Sequence, residues 1–168
     1  AGLCIFCLSL LMVYLSSTVY HSLSAERQKN LWHRIDHISI YFLIAGTHTP
    51  FLLYFAEADQ ARFFLQLIWG MVALGVIYKV FFFGRFEWLS VLYYVALGWM
   101  ALVTIPAMTH GMSDEILFWI IAGGLSYTFG VIFFLWEKLP YHHAIWHLFV
   151  LGGSAGHFAA MYLTVTGA

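Results

Sequence analysis

Residues 141–157 read Tyr141-His142-His143-Ala144-Ile145-Trp146-His147-Leu148-Phe149-Val150-Leu151-Gly152-Gly153-Ser154-Ala155-Gly156-His157, and the apolar run continues to Thr166. A run of about 20 mostly apolar residues can cross a bilayer as a helix. On that helix His143 and His147 lie four residues apart, on one face and one turn from each other. Two imidazoles so placed can grip one small cation, as the paired histidines of a metalloprotease helix do. His142 lies about 140° round the helix from His147 and is the poorer partner. Ordinary polar residues near a helix end would read the same in isolation. Inside a membrane segment, however, ionisable groups are costly and usually functional.

The composition places the whole chain in that class. Of 168 residues, 62% are hydrophobic and 9% charged, against about 25% charged in a soluble domain. The net charge of −1 gives no case for nucleic-acid binding. Nine histidines outnumber the seven Lys and Arg, which points to metal or proton chemistry. Six apolar runs follow one another, at residues 1–22, 36–55, 63–82, 88–108, 116–136 and 141–166. They predict an all-α integral membrane protein, a single domain over residues 1–168. Short connections make neighbouring helices antiparallel, as in a helix bundle. Residues 26–34, rich in charge, read as a polar loop. The chain begins on Ala1 inside an apolar run, with no charged leader before it, and a preceding helix is expected. Cys4 and Cys7 have the Cys-x-x-Cys spacing but sit in an apolar helix, where they read as small buried packing residues.

Basic residues in the loops set the orientation. The first, third and fifth connections hold Arg27, Lys29, Arg34, Lys79, Arg85 and Lys138, and the second and fourth only Arg62. The odd connections are therefore expected in the cytoplasm and the C-terminus outside. The first span ends at the cytoplasmic face with His21, the second begins there with Asp36, and the sixth begins there with His143 and His147. His21, Asp36, His143 and His147 are thus expected at one depth. Ser17 lies four residues before His21, on the same face. It either bonds back to a helix carbonyl or supports the metal or its water.

The other histidines fit this ion less well. His33 reads as solvated in the loop. His37 points about 100° away from Asp36, and His48 lies about 18 Å from it along the helix. His110 falls in an outer turn. His157 lies about 15 Å beyond His147 and reads as a buried residue bonding across helices. Gly70, Gly75, Gly98, Gly123, Gly124 and Gly130 are candidates for close helix packing, and Gly152 to Gly156 form a small-residue strip that should face another helix.

Three histidines and a water make a four-coordinate zinc site with an open position. Such a site generates a nucleophile at neutral pH, and Asp36 is suited to orient the water or act as general base. An amphiphile could reach the metal with its head while its tail stays in lipid. Hydrolysis of a lipid amide or ester is one reading. In the other, zinc clamps three helices without catalysis, and the protein is a lipid sensor or receptor. Haem between facing histidines is disfavoured, because a stacked pair with a third His nearby suits a compact ion.

Ser17-x-x-x-His21, Asp36-His37 leading into Leu43-Ile44-Ala45-Gly46-Thr47-His48-Thr49-Pro50, then His143-x-x-x-His147 and His157-Phe158, together resemble the hemolysin III family. That family belongs with the progestin and adipoQ receptors and is distantly similar to the alkaline ceramidases. The resemblance runs from about Leu10 to the C-terminus, and is strongest to the bacterial branch. It implies seven spans, of which the first is not in this sequence, in an inner (plasma) membrane. It implies zinc held by His21, His143 and His147, a zinc-bound water held by Asp36, and Ser17 beside the metal. It implies a membrane lipid or fatty-acid-like ligand and a role in lipid homeostasis. It leaves the activity and the oligomeric state open. The family name also suggests a cytolysin, for which a helix bundle with polar groups at one end is a poor design.

Overall fold

Lipid leaves no alternative partner for a backbone N–H or C=O, so an apolar chain of this composition satisfies them within helices. The computed structural model describes residues 1–167, the side chain of His110 excepted. Ala168, the last residue of the predicted domain, lies outside them. The described elements are all helical: α1 (Gly2–Ser22), α2 (Glu26–Phe55), α3 (Ala58–Phe82), α4 (Glu87–Gly98), α5 (Ala101–Met108), a 3-10 turn (Thr109–Gly111), α6 (Asp114–Leu135) and α7 (His142–Thr166). Taking Glu87–Met108 as one span, six helices are long and apolar enough to cross a membrane.

Several boundaries differ from the sequence reading, and α3 starts at Ala58 where the predicted span starts at 63. The predicted polar loop at residues 26–34 is helix, the first turns of α2. Glu, Arg, Gln, Lys and Leu are good helix formers whether or not they enter the bilayer, so the helix starts before the apolar run does. The fourth span is broken at Trp99 and Met100 between α4 and α5. There the Trp99 and Met100 N–H groups bond to Val95 O at 2.9 Å and Leu97 O at 3.3 Å, closing α4 before α5 restarts.

The helices group into two compact units, Ala1–Met108 and Thr109–Ala168. In the first unit α2 is central. Tyr41, Leu43, Ala45, Phe51 and Leu52 on it are buried. Gly46 lets α1 approach, since a Cβ there would lie 2.3 Å from Ser9 Oγ. Gly75 does the same for α3, where a Cβ would lie 2.7 Å from the Tyr41 ring. Polar bonds tie the helices together. Ser16 Oγ donates to Ser39 Oγ (3.1 Å) and Trp69 Nε1 to Thr49 Oγ1 (3.2 Å). The outer face of α1 is apolar, with Leu8, Leu11 and Leu15 exposed. Cys4 and Cys7 are free and lie exposed on this helix. The buried position expected for them is not found, because α1 meets α2 through Phe6, Ser9 and Val13 instead.

The second unit is the pair α6 and α7. The strip expected to face another helix does so. A Cβ on Gly153 would lie 2.7 Å from the Tyr127 ring, and one on Gly156 3.1 Å from Gly123 Cα. Of the glycines expected at close contacts, Gly75, Gly123 and Gly130 are at them, whereas Gly70, Gly98 and Gly124 face open space. Polar side chains bond across the pair: Ser126 Oγ to Phe149 O at 2.8 Å, Tyr127 OH with Ser154 Oγ at 2.8 Å, and His157 Nε2 with Ile120 O at 3.2 Å. His157 is buried and bonds across helices, as expected.

Candidate metal centre

The second unit supplies a histidine pair. α7 starts at His142, and Tyr141 before it adopts a left-handed conformation (φ 59°, ψ 17°). This start sets His143 and His147 one turn apart on a regular helix. Their Nε2 atoms lie 3.1 Å apart, with the rings edge to face at 4.7 Å between centroids. Two imidazole nitrogens this close share a proton or a cation, since two bare lone pairs would repel. Tetrahedral zinc with Zn–N of about 2.0–2.1 Å separates its ligand nitrogens by about 3.3–3.4 Å. The observed 3.1 Å is shorter than that, the length of an N–H···N hydrogen bond, and a ring shift of a few tenths of an ångström would bring the pair to it. His142 turns away and bonds Phe133 O at 3.1 Å.

The first unit supplies an acid and a hydroxyl. Ser17 on α1 donates to the Asp36 carboxylate on α2. The bond joins two antiparallel helices linked by only residues 23–25. It leaves the other lone pairs of the carboxylate for a water or a substrate proton. His21 follows Ser17 by one turn and is exposed at the end of α1. Its ring lies 4.6 Å from that of Tyr20. Of the three expected metal ligands, His21 belongs to this unit and His143 and His147 to the other.

The remaining histidines are placed as follows. His48 Nδ1 lies 2.9 Å from Ile44 O within α2. His37 Nδ1 is 3.9 Å from Glu87 Oε2. His33 is not solvated in a loop. It sits on α2, stacked on Tyr20 at 4.6 Å and edge-on to Phe83 at 5.0 Å. The helical start of α2 carries it there.

Sequence reasoning missed one polar feature. Lys79 on α3 is buried and its Nζ donates to Glu87 Oε2 at 2.7 Å. Glu87 Oε1 accepts the Gly84 N–H at 3.1 Å. Gly84 has φ 76° and Phe86 φ 50°, and this left-handed turn folds α4 back so that Glu87 reaches Lys79. Opposite charges eight residues apart around a glycine are the available signal.

The chain matches the family described as Haemolysin-III related over residues 1–158. It is 42% identical over 154 residues to the Hemolysin-3 homolog of Bacillus subtilis (strain 168), covering 92% of this chain and 72% of the relative. It is 44% identical over 154 residues to Hemolysin-3 of Bacillus cereus, covering 92% and 70%. To the human Monocyte to macrophage differentiation factor it is 30% identical over 166 residues, covering 94% and 68%. No solved structure matches. This multi-span chain, with its histidine motifs in the order expected, belongs to the haemolysin-III related family.

Proposed function

We propose that the protein holds one zinc ion in the membrane and acts in membrane lipid homeostasis or lipid sensing, with a water-activating site at the metal. His21, His143 and His147 are the ligands, each giving one ring nitrogen. Asp36 would hold and orient a water beside the ion, and Ser17 fixes Asp36. The observation that carries the reading is that the His143 and His147 nitrogens face each other at 3.1 Å, close enough that a small shift would make them two ligands of one ion. Three neutral imidazole donors would leave such an ion room for a water. Zinc bound there would supply Lewis acidity and an acidified water. The Ser17–Asp36 bond supports the rest, because it presents a carboxylate at the His21 end of α1 and not a solvated side chain. The ligand is a membrane lipid or fatty-acid-like amphiphile, and a lipid amide or ester is the bond that such a site would cleave. The face carrying the α1–α2 connection is cytoplasmic, from the distribution of basic residues.

The test is metal content. Wild-type protein purified without added chelator should carry one zinc per chain, and His147→Ala should carry far less. Equal zinc in both, or none in the wild type, removes the assignment.

A further inference from the structure

At the end of the first unit that carries His21, three rings form a row. Tyr20 of α1 stacks on His33 of α2 at 4.6 Å and 9°, and His33 meets the edge of Phe83, after α3, at 5.0 Å. A cation lies over each end. Lys29 Nζ is 5.7 Å from the Tyr20 ring and Arg34 Cζ is 5.1 Å from the Phe83 ring. Both side chains are exposed. Among the described residues neither has an acidic partner, because the ion pairs formed are His37–Glu87, Arg62–Asp59 and Lys79–Glu87. Contact with a ring face leaves their N–H donors unused, three on Lys and five on Arg. The carboxylate that reaches this row, Glu87, is held by Lys79 at 2.7 Å. Among the described residues, no unpaired carboxylate stands at the row to pair with the ammonium of a zwitterionic headgroup.

We propose that Lys29, Arg34 and the Tyr20–His33–Phe83 row form a seat for the phosphate-bearing headgroup of an anionic phospholipid. The basic groups take phosphate oxygens as charge-assisted hydrogen bonds, and the rings support the glycerol and upper chain. The row starts beside His21, with Tyr20 and His21 rings 4.6 Å apart. A phospholipid seated on it brings its ester linkages to the end of α1 where the zinc ligand and Asp36 lie. The substrate or sensed ligand is thereby an anionic glycerophospholipid and not a neutral lipid. This last step rests on the zinc reading above; the seat itself does not.

The seat is tested on the whole chain in vesicles of phosphatidylcholine containing a minor fraction of phosphatidylglycerol. Lipid retained through purification is measured by mass spectrometry, and zinc in the same samples. Wild type should retain phosphatidylglycerol above its bulk fraction. Lys29→Gln/Arg34→Gln should lower that enrichment roughly 30-fold, the change for two headgroup-level cations, while zinc per chain stays at the wild-type value. Arg62→Gln, which removes a basic residue from the α2–α3 end, should keep the enrichment. So should His21→Ala, even as it loses zinc. Unchanged enrichment in the double variant, an equal loss in Arg62→Gln, or displacement of the lipid by inorganic phosphate alone would overturn the seat. Enrichment that depends on Lys29 and Arg34 in a protein devoid of zinc would support the seat and sink the metal reading.

Discussion

The Lys79–Glu87 pair yields an asymmetry that its geometry fixes. The Lys79 side chain is 1% exposed and that of Glu87 43%. Removing the carboxylate leaves an ammonium buried in a membrane-spanning helix. Breaking a buried pair in this way costs about 3–5 kcal/mol. Glu87→Gln keeps an amide oxygen within reach, so about 3 kcal/mol is expected. Removing the ammonium is different. Lys79→Met keeps the apolar stem in place, and Glu87 remains partly hydrated and bonded to the Gly84 N–H at 3.1 Å. That loss resembles a surface pair and should cost about 1 kcal/mol or less. The double variant Lys79→Met/Glu87→Gln has no stranded charge and should return to within about 1 kcal/mol of wild type, because apolar replacement of a buried pair is often neutral. Equilibrium unfolding in mixed micelles titrated with dodecyl sulfate, followed by Trp fluorescence, reads all three. A Lys79→Met protein as unstable as Glu87→Gln, or a double variant showing the sum of the two losses, would refute the argument.

Further outcomes follow from other sites. Asp36→Asn should keep zinc and lose hydrolysis of an acyl-ester lipid by about 10²- to 10⁴-fold; if no lipid is hydrolysed by wild type while zinc-site variants still alter membrane lipid composition, the sensor role stands alone. Gly123→Ala places a methyl 2.7 Å from the His157 ring and 3.0 Å from the Gly153 carbonyl. The α6–α7 pair should lose about 1–3 kcal/mol by overpacking, measured by the same titration, whereas Gly124→Ala should be neutral because nothing lies near it. A reporter active only outside the cytoplasm, fused after Gly167, should be active, and an inactive fusion would reverse the proposed topology.

Hydropathy located the spans because lipid demands the same apolar length wherever a helix crosses. It misplaced the start of α2 because it measures entry into lipid, and a helix can begin in water. Most of residues 26–34 are good helix formers, so α2 carries Lys29, His33 and Arg34 on rigid backbone up to the rings of Tyr20 and Phe83. Read as a loop, the same residues have no fixed neighbours, and the basic-aromatic row disappears from view. The break at Trp99 was hidden for the complementary reason, since the residues on both sides are apolar and the hydropathy profile does not dip. His143 and His147 were legible because an i,i+4 relation is local and survives any tertiary arrangement. Ser17 and Asp36 were legible because one short connection brings the ends of α1 and α2 to the same level. The glycines show the limit of such reasoning. Gly123 and Gly124 are neighbours in sequence, yet one meets His157 and the other faces open space. Which side of a helix is covered is decided by helices elsewhere in the chain, and 100° of rotation separates a residue that cannot change from one that can.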